Sequence, residues 1–158
     1  MIVAVTQHNR AWAELGDVQA LLERAAAAAL AGAGRTLADD CEISVLLADD
    51  EALRVLNRDY RGQDRATNVL SFPQPQTAGP GMLGDIALAF ETVAREAREQ
   101  GKTLADHASH LMVHGVLHLL GYDHLNDEDA LTMETLERCI LASIGVADPY
   151  GMPADAEA

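Results

Sequence analysis

The sequence predicts an α/β (α+β) domain, a small mixed sheet of about four strands packed with about five helices. Three observations carry this expectation. Short β-branched or apolar runs recur along the chain. Longer stretches with helical periodicity separate some of them. The two kinds do not alternate strictly, so a purely parallel, doubly wound sheet is not expected.

The elements follow in order. Residues 2–6 alternate like a short strand, and Asp17 can cap a helix running to about Ala31, ended by Gly32 and Gly34. Residues 42–47 form an apolar, β-branched strand. Asp49 or Asp50 then caps a second helix through about Asp59, with Leu53 and Leu56 on one face. Residues 60–68 read as a polar loop rich in arginine, and 69–72 as a short strand stopped by Pro73 and Pro75. An irregular loop is expected over 74–81, a strand over 84–90, and a third helix over 91–100 ended by Gly101. Thr103 begins a long helix ended by Gly121. Asp127 caps a last helix to about Ile144.

A chain of 158 residues suits one compact domain, here residues 1–146, followed by an acidic, flexible tail over 147–158. Two cysteines, Cys41 and Cys139, form neither a CxxC pair nor a disulfide framework and read as ordinary thiols. No stretch reaches the ~18 apolar residues of a membrane helix, and the start lacks the pattern of a secretion signal. A cytoplasmic protein without membrane partners is expected.

Eleven basic against 25 acidic residues give a net charge of −14, which excludes nucleic-acid binding through the bulk field. Residues 52–72 are the local exception. They carry Arg54, Arg58, Arg61 and Arg65 against Asp59 and Asp64.

The chemistry concentrates in the histidines. His114 and His118 are four apart on the long helix, so both rings share one face and can reach one metal ion. Gly121 turns the chain back, and His124 can supply a third nitrogen. Three protein ligands with an open position describe a catalytic zinc site, here at the end of a long central helix. His110 lies on the same face but about 12 Å along the helix from His118, so the two cannot share an ion. The pair is 110/114 or 114/118, and the turn at Gly121 favours the second. His8 and His107 join no constellation. The HxxxH spacing also occurs in zinc proteases, where a glutamate follows the first histidine as general base, but here that position is Gly115.

The run from His114 to His124, HGVLHLLGYDH, resembles the signature of the YbeY family of bacterial endoribonucleases. Leu56 to Arg61 resembles that family's LNxxYR segment and Thr67 to Pro73 its TDVLSFP segment. Gly84-Asp85-Ile86 and Met133-Glu134 also fall in order. Asn68 stands where the family has aspartate, and Ala66 where proline is common. The resemblance implies a metal-dependent hydrolase of single-stranded RNA in ribosomal RNA maturation and ribosome quality control. It implies one zinc ion on the three histidines, with Arg61 facing the site. Arginine offers phosphate a planar, permanently charged fork, which suits charge building on phosphorus. Asp85 and Asp123 are candidates to support the ligands, and Arg58 and Arg65 to touch the RNA backbone. A ribosomal small-subunit protein or assembly factor is the expected protein partner. Imidazole also suits other divalent transition metals.

Two rival readings remain at this point. One is a metallopeptidase or other small-substrate zinc hydrolase, which would lack its glutamate. The other is a non-enzymatic ribosome-assembly factor with a structural metal, which would need a fourth ligand.

Overall fold

A computed structural model describes residues 1–74 and 81–150. Their order is β1 (Ile2–Gln7), a 3-10 turn (Arg10–Leu15), α1 (Val18–Gly32), β2 (Glu42–Ala48), α2 (Asp50–Arg61), β3 (Val69–Pro73), β4 (Met82–Ala89), α3 (Phe90–Glu99), α4 (Leu104–Leu119) and α5 (Asp127–Ser143). The expected loop over 74–81 and the expected tail over 147–158 fall largely outside the described residues. No helix among the described residues is long and apolar enough to cross a membrane.

The sheet order is β1-β2-β4-β3. β1 and β4 run parallel to β2, while β3 is antiparallel to β4 and forms one edge. The sheet is therefore mixed. Side-chain alternation sends Ile43, Val45, Leu47, Ile86 and Leu88 into the main core with α1 and α4. The opposite face holds a smaller cluster, in which Ala48, Leu70, Ala87 and Ala89 meet Leu53 of α2.

α4 is the central element. Eleven of its sixteen residues are buried, against α1, α3, α5 and the sheet. A helix apolar on nearly every side must lie inside the domain. Each of its fully buried Val, Leu or Met side chains contributes about 1.5–3 kcal/mol. At Gly115 the helix comes so close to the sheet that a Cβ would sit 3.0 Å from Ile86 Cδ1 and 3.2 Å from Ser71 Oγ.

Several boundaries differ from the sequence reading. α2 continues past Asp59 to Arg61, because Gly62 adopts the left-handed conformation (φ 69°) and its N–H caps the Asn57 and Arg58 carbonyls. Asp50 and Glu51 in the first turn and Arg58 and Arg61 in the last also complement the helix dipole. Tyr60 and Arg61 are thus helical. β4 starts at Met82, and Phe90 opens α3, packing edge-on against Trp12. Asn126, not Asp127, caps α5, its Oδ1 accepting the Asp129 N–H at 2.8 Å. The 3-10 turn was not expected from the sequence. It buries Trp12, whose Nε1 donates to the Ala48 carbonyl. Cys41 is buried and Cys139 exposed, and neither is in a disulfide.

Candidate metal centre

The last two turns of α4 present His114 and His118 side by side, with ring centroids 4.6 Å apart and Nε2 atoms 3.1 Å apart. Gly121 takes φ 103°, open to glycine but rarely to other residues, and redirects the chain. His124 then returns to within 5.2 Å of the His118 ring and 5.8 Å of the His114 ring, centroid to centroid. One nitrogen from each of the three rings lies within 4.8 Å of the other two. Among the described residues no cysteine or carboxylate completes the group. Burial, reinforced by the neighbouring His114 and His124, lowers the His118 pKa to about 4. The ring is therefore neutral near pH 7, as a metal ligand must be.

His110 does not converge with the other three. Its Nε2 lies 2.6 Å from Glu137 Oε1, while its Nδ1 is buried and unpartnered among the described residues. His107 is likewise buried. Burial holds its pKa below the usual imidazole range despite the Glu96 carboxylate, whose Oε1 lies 2.9 Å from His107 Nε2.

A pocket of about 370 Å³ opens beside the histidines, lined by His114, His118, Tyr122 and Asp123 together with Arg61 and Ser71. Arg61 closes α2 and reaches back to β3. Its Nη2 donates to the Ser71 carbonyl at 2.7 Å, and its guanidinium carbon lies 5.6 Å from the Phe72 ring centroid. One hydrogen bond and one aromatic face thus fix the fork and leave further N–H donors at the pocket.

The remaining candidates separate. Asp123 borders the pocket and its Oδ1 accepts the His124 N–H at 2.8 Å, which holds the turn that carries His124. Asp85 does not reach the histidines. It is one residue from Ile86 along β4, so it points to the opposite face of the sheet. There it lines a groove with Tyr60 and Phe72 and accepts a long hydrogen bond from Gln74, at 3.4 Å. Arg58 pairs with Asp59, and Arg65 donates to Gln63 Oε1; neither lines the pocket. Arg54 is held by both Glu51 and Asp64. Asn68 donates to Glu96 Oε1 at 2.9 Å, the same oxygen that meets His107.

Sequence reasoning missed Glu137. This carboxylate is 1% exposed, yet it receives His110 Nε2, His114 Nδ1 at 3.2 Å and the Tyr150 hydroxyl at 2.9 Å. Burial alone would raise its pKa, but the hydrogen bonds from His110 and His114 outweigh that and bring it down to about 2. The signal was present in the sequence. Met133, Glu137, Ile140 and Leu141 form the buried stripe of α5, and a carboxylate interrupts it.

Comparisons with known proteins find relatives along nearly the whole chain. The family model described as Endoribonuclease YbeY matches residues 5–145. A protein named Endoribonuclease YbeY from Paramagnetospirillum magneticum is 55% identical over 157 residues, covering 94% of this chain and 95% of that one. One of the same name from Azorhizobium caulinodans is 46% identical, covering 98% and 99%. A Thermotoga maritima protein solved in solution shares the fold, with a TM-score of 0.56 at 24% identity, covering 96% of this chain and all of that one.

Proposed function

The chain belongs to the YbeY endoribonuclease family, and from that premise we propose that it cuts single-stranded RNA with one zinc ion held by His114, His118 and His124. The observation that carries this reading is the convergence of three imidazoles, two of which, His114 and His118, line one pocket with the Arg61 guanidinium. Three nitrogen donors, with no fourth protein ligand among the described residues, suit a catalytic ion rather than a closed structural one. When bound, such an ion supplies Lewis acidity toward a phosphoryl oxygen and toward water.

The chain's own residues do the rest. Arg61 binds and orients the scissile phosphate and stabilises charge that builds on it, with its fork held by Ser71 and Phe72. Asp123 steadies the turn that carries His124. Arg58 and Arg65 are exposed outside the pocket and are candidates to meet backbone phosphates. The peptidase reading loses ground at Gly115. A side chain there would press on Ile86 and Ser71, and with glycine in place no glutamate base stands beside His114.

The role that follows is ribosomal RNA maturation and ribosome quality control in the cytoplasm. The acidic exterior suits a basic ribosomal small-subunit protein or assembly factor as the partner that delivers the enzyme to its RNA. The test is to incubate the purified protein with single-stranded RNA and with casein, each with and without chelator, alongside His114→Ala. RNA cleavage that chelation and the substitution both abolish is expected. Casein cleavage, or RNA cleavage indifferent to both, would overturn the reading.

A further inference from the structure

Glu137 is the most heavily engaged carboxylate in the described structure, and nothing in the reaction outlined above uses it. It projects from the middle of α5 into the core, 1% exposed. Its Oε2 faces His114 Nδ1 at 3.2 Å. Its Oε1 faces His110 Nε2 at 2.6 Å and accepts the Tyr150 hydroxyl at 2.9 Å. Three donors from two other segments therefore converge on one side chain.

The contact with His114 has a directional consequence. Three groups crowd the two carboxylate oxygens, and this geometry points to His114 turning a protonated Nδ1 toward Oε2. Its Nε2 is then a lone pair, and that atom lies 3.1 Å from His118 Nε2, where the ring nitrogens converge. Without the carboxylate the ring could take the other tautomer, or rotate, and present an N–H to the centre.

The other two donors keep the carboxylate from turning away. His110 approaches from one turn back on α4 and Tyr150 from the segment after α5. Tyr150 is itself held edge-on against the His110 ring, at 5.5 Å between centroids, and under the Arg138 guanidinium at 5.5 Å.

We propose that Glu137 is a positioning residue for the metal centre, fixing the tautomer and orientation of His114, and that His110 and Tyr150 lock it in that role. The proposal rests on the three-histidine metal reading above. It assigns a purpose to His110, which does not converge with the other three histidines, and to Tyr150, which lines a second cavity with His114 and His124. An outer carboxylate of this kind typically changes metal affinity by about 10- to 100-fold.

The experiment measures zinc affinity of the full chain by chelator competition, together with imidazole ¹⁵N spectra of the metal-free protein. Wild type should show His114 protonated at Nδ1. Glu137→Gln should weaken zinc binding by about 10- to 100-fold. It should also bring in the Nε2–H form of His114, because glutamine offers one oxygen where three donors converge and its NH₂ opposes a ring N–H. Tyr150→Phe keeps the shape and removes one donor, so it should weaken zinc by about two- to tenfold. A folded Glu137→Gln with wild-type affinity and an unchanged His114 tautomer would overturn the proposal. If that variant does not fold, Tyr150→Phe decides: weakened zinc binding supports the lock, and unchanged affinity sinks it. Wild-type protein that binds zinc through the triad but leaves RNA intact would refute the endoribonuclease reading and leave the Glu137 result standing.

Discussion

The two walls of the pocket are built on opposite principles. The histidine wall grows from α4, the most buried helix, and is braced from behind by Glu137 in the core. The arginine wall stands on the end of α2 and the segment after it, where Arg58, Arg61 and Arg65 are all exposed. Behind the histidines every contact is short and enclosed. Among the arginines, Arg54 is held by two carboxylates, Arg58 meets Asp59, Arg65 meets a glutamine, and Arg61 alone lines the pocket. Coordination tolerates little displacement and is given to a rigid helix, while a long, mobile polyanion is met by exposed charges.

The largest effect expected is from the histidine wall. His118→Ala should drop the metal content from about one ion per chain to near zero and RNA cleavage to background, because only two of three nitrogens remain. Elemental analysis after gel filtration checks it, and full metal retention would break the comparison. On the other wall, Arg61→Ala should cost about 10²–10³ in rate with metal content unchanged. Arg61→Lys should recover little, since lysine lacks the fork. Single-turnover rates on a short RNA measure both.

Asn68→Asp sharpens the comparison from behind the histidines. Asn68 donates to Glu96 Oε1 within the half-buried network that includes His107. An aspartate there replaces a donor with a like charge, and a loss of about 1–3 kcal/mol is expected. At this chain length that lowers the midpoint of thermal unfolding by about 2–4 °C per kcal/mol. The loss should shrink as pH falls toward the carboxylate range, because protonating either acid restores a hydrogen bond. A variant as stable as wild type at pH 7 would show that the network is loose.

The smallest effect belongs to the exposed wall. With Arg54 neutralised twice, two or three arginines remain for phosphates. At about −0.7 per phosphate on a single strand, log K against log salt should have a slope of roughly −1.4 to −2.1. Arg65→Ala should make it shallower by about 0.7. A wild-type slope steeper than about −6 would require many more contacts than this rim provides.

What could be read from the sequence follows the same division. The strands and helices were readable because their caps are local. Asp17 and Thr103 receive the N–H three residues on, at 3.0 and 3.1 Å. The histidine spacing was readable because a helix turn converts four residues into one face. Arg61 entered through the YbeY resemblance. Its place on a helix did not, because Gly62 was taken as part of a loop. Asp85 was misplaced because a strand's alternation fixes two faces without saying which one a given residue takes until the neighbours are known. Glu137 was invisible to motif spacing. Its partners lie 27 and 23 residues back and 13 ahead, and only the packing of α5 on α4 brings them together.

The depth of α4 has one more consequence. Two of the three ligands ride on a helix already paid for by the core, so the socket exists before any ion arrives. In small zinc domains the ion holds the chain folded, and removing it unfolds the protein. Here a chelator should leave the architecture standing and the imidazoles still converged. Ions then compete on coordination preference and supply rather than on their power to organise the chain. Because imidazole also suits copper and nickel, those metals are expected to exchange into the proposed site without misfolding the chain.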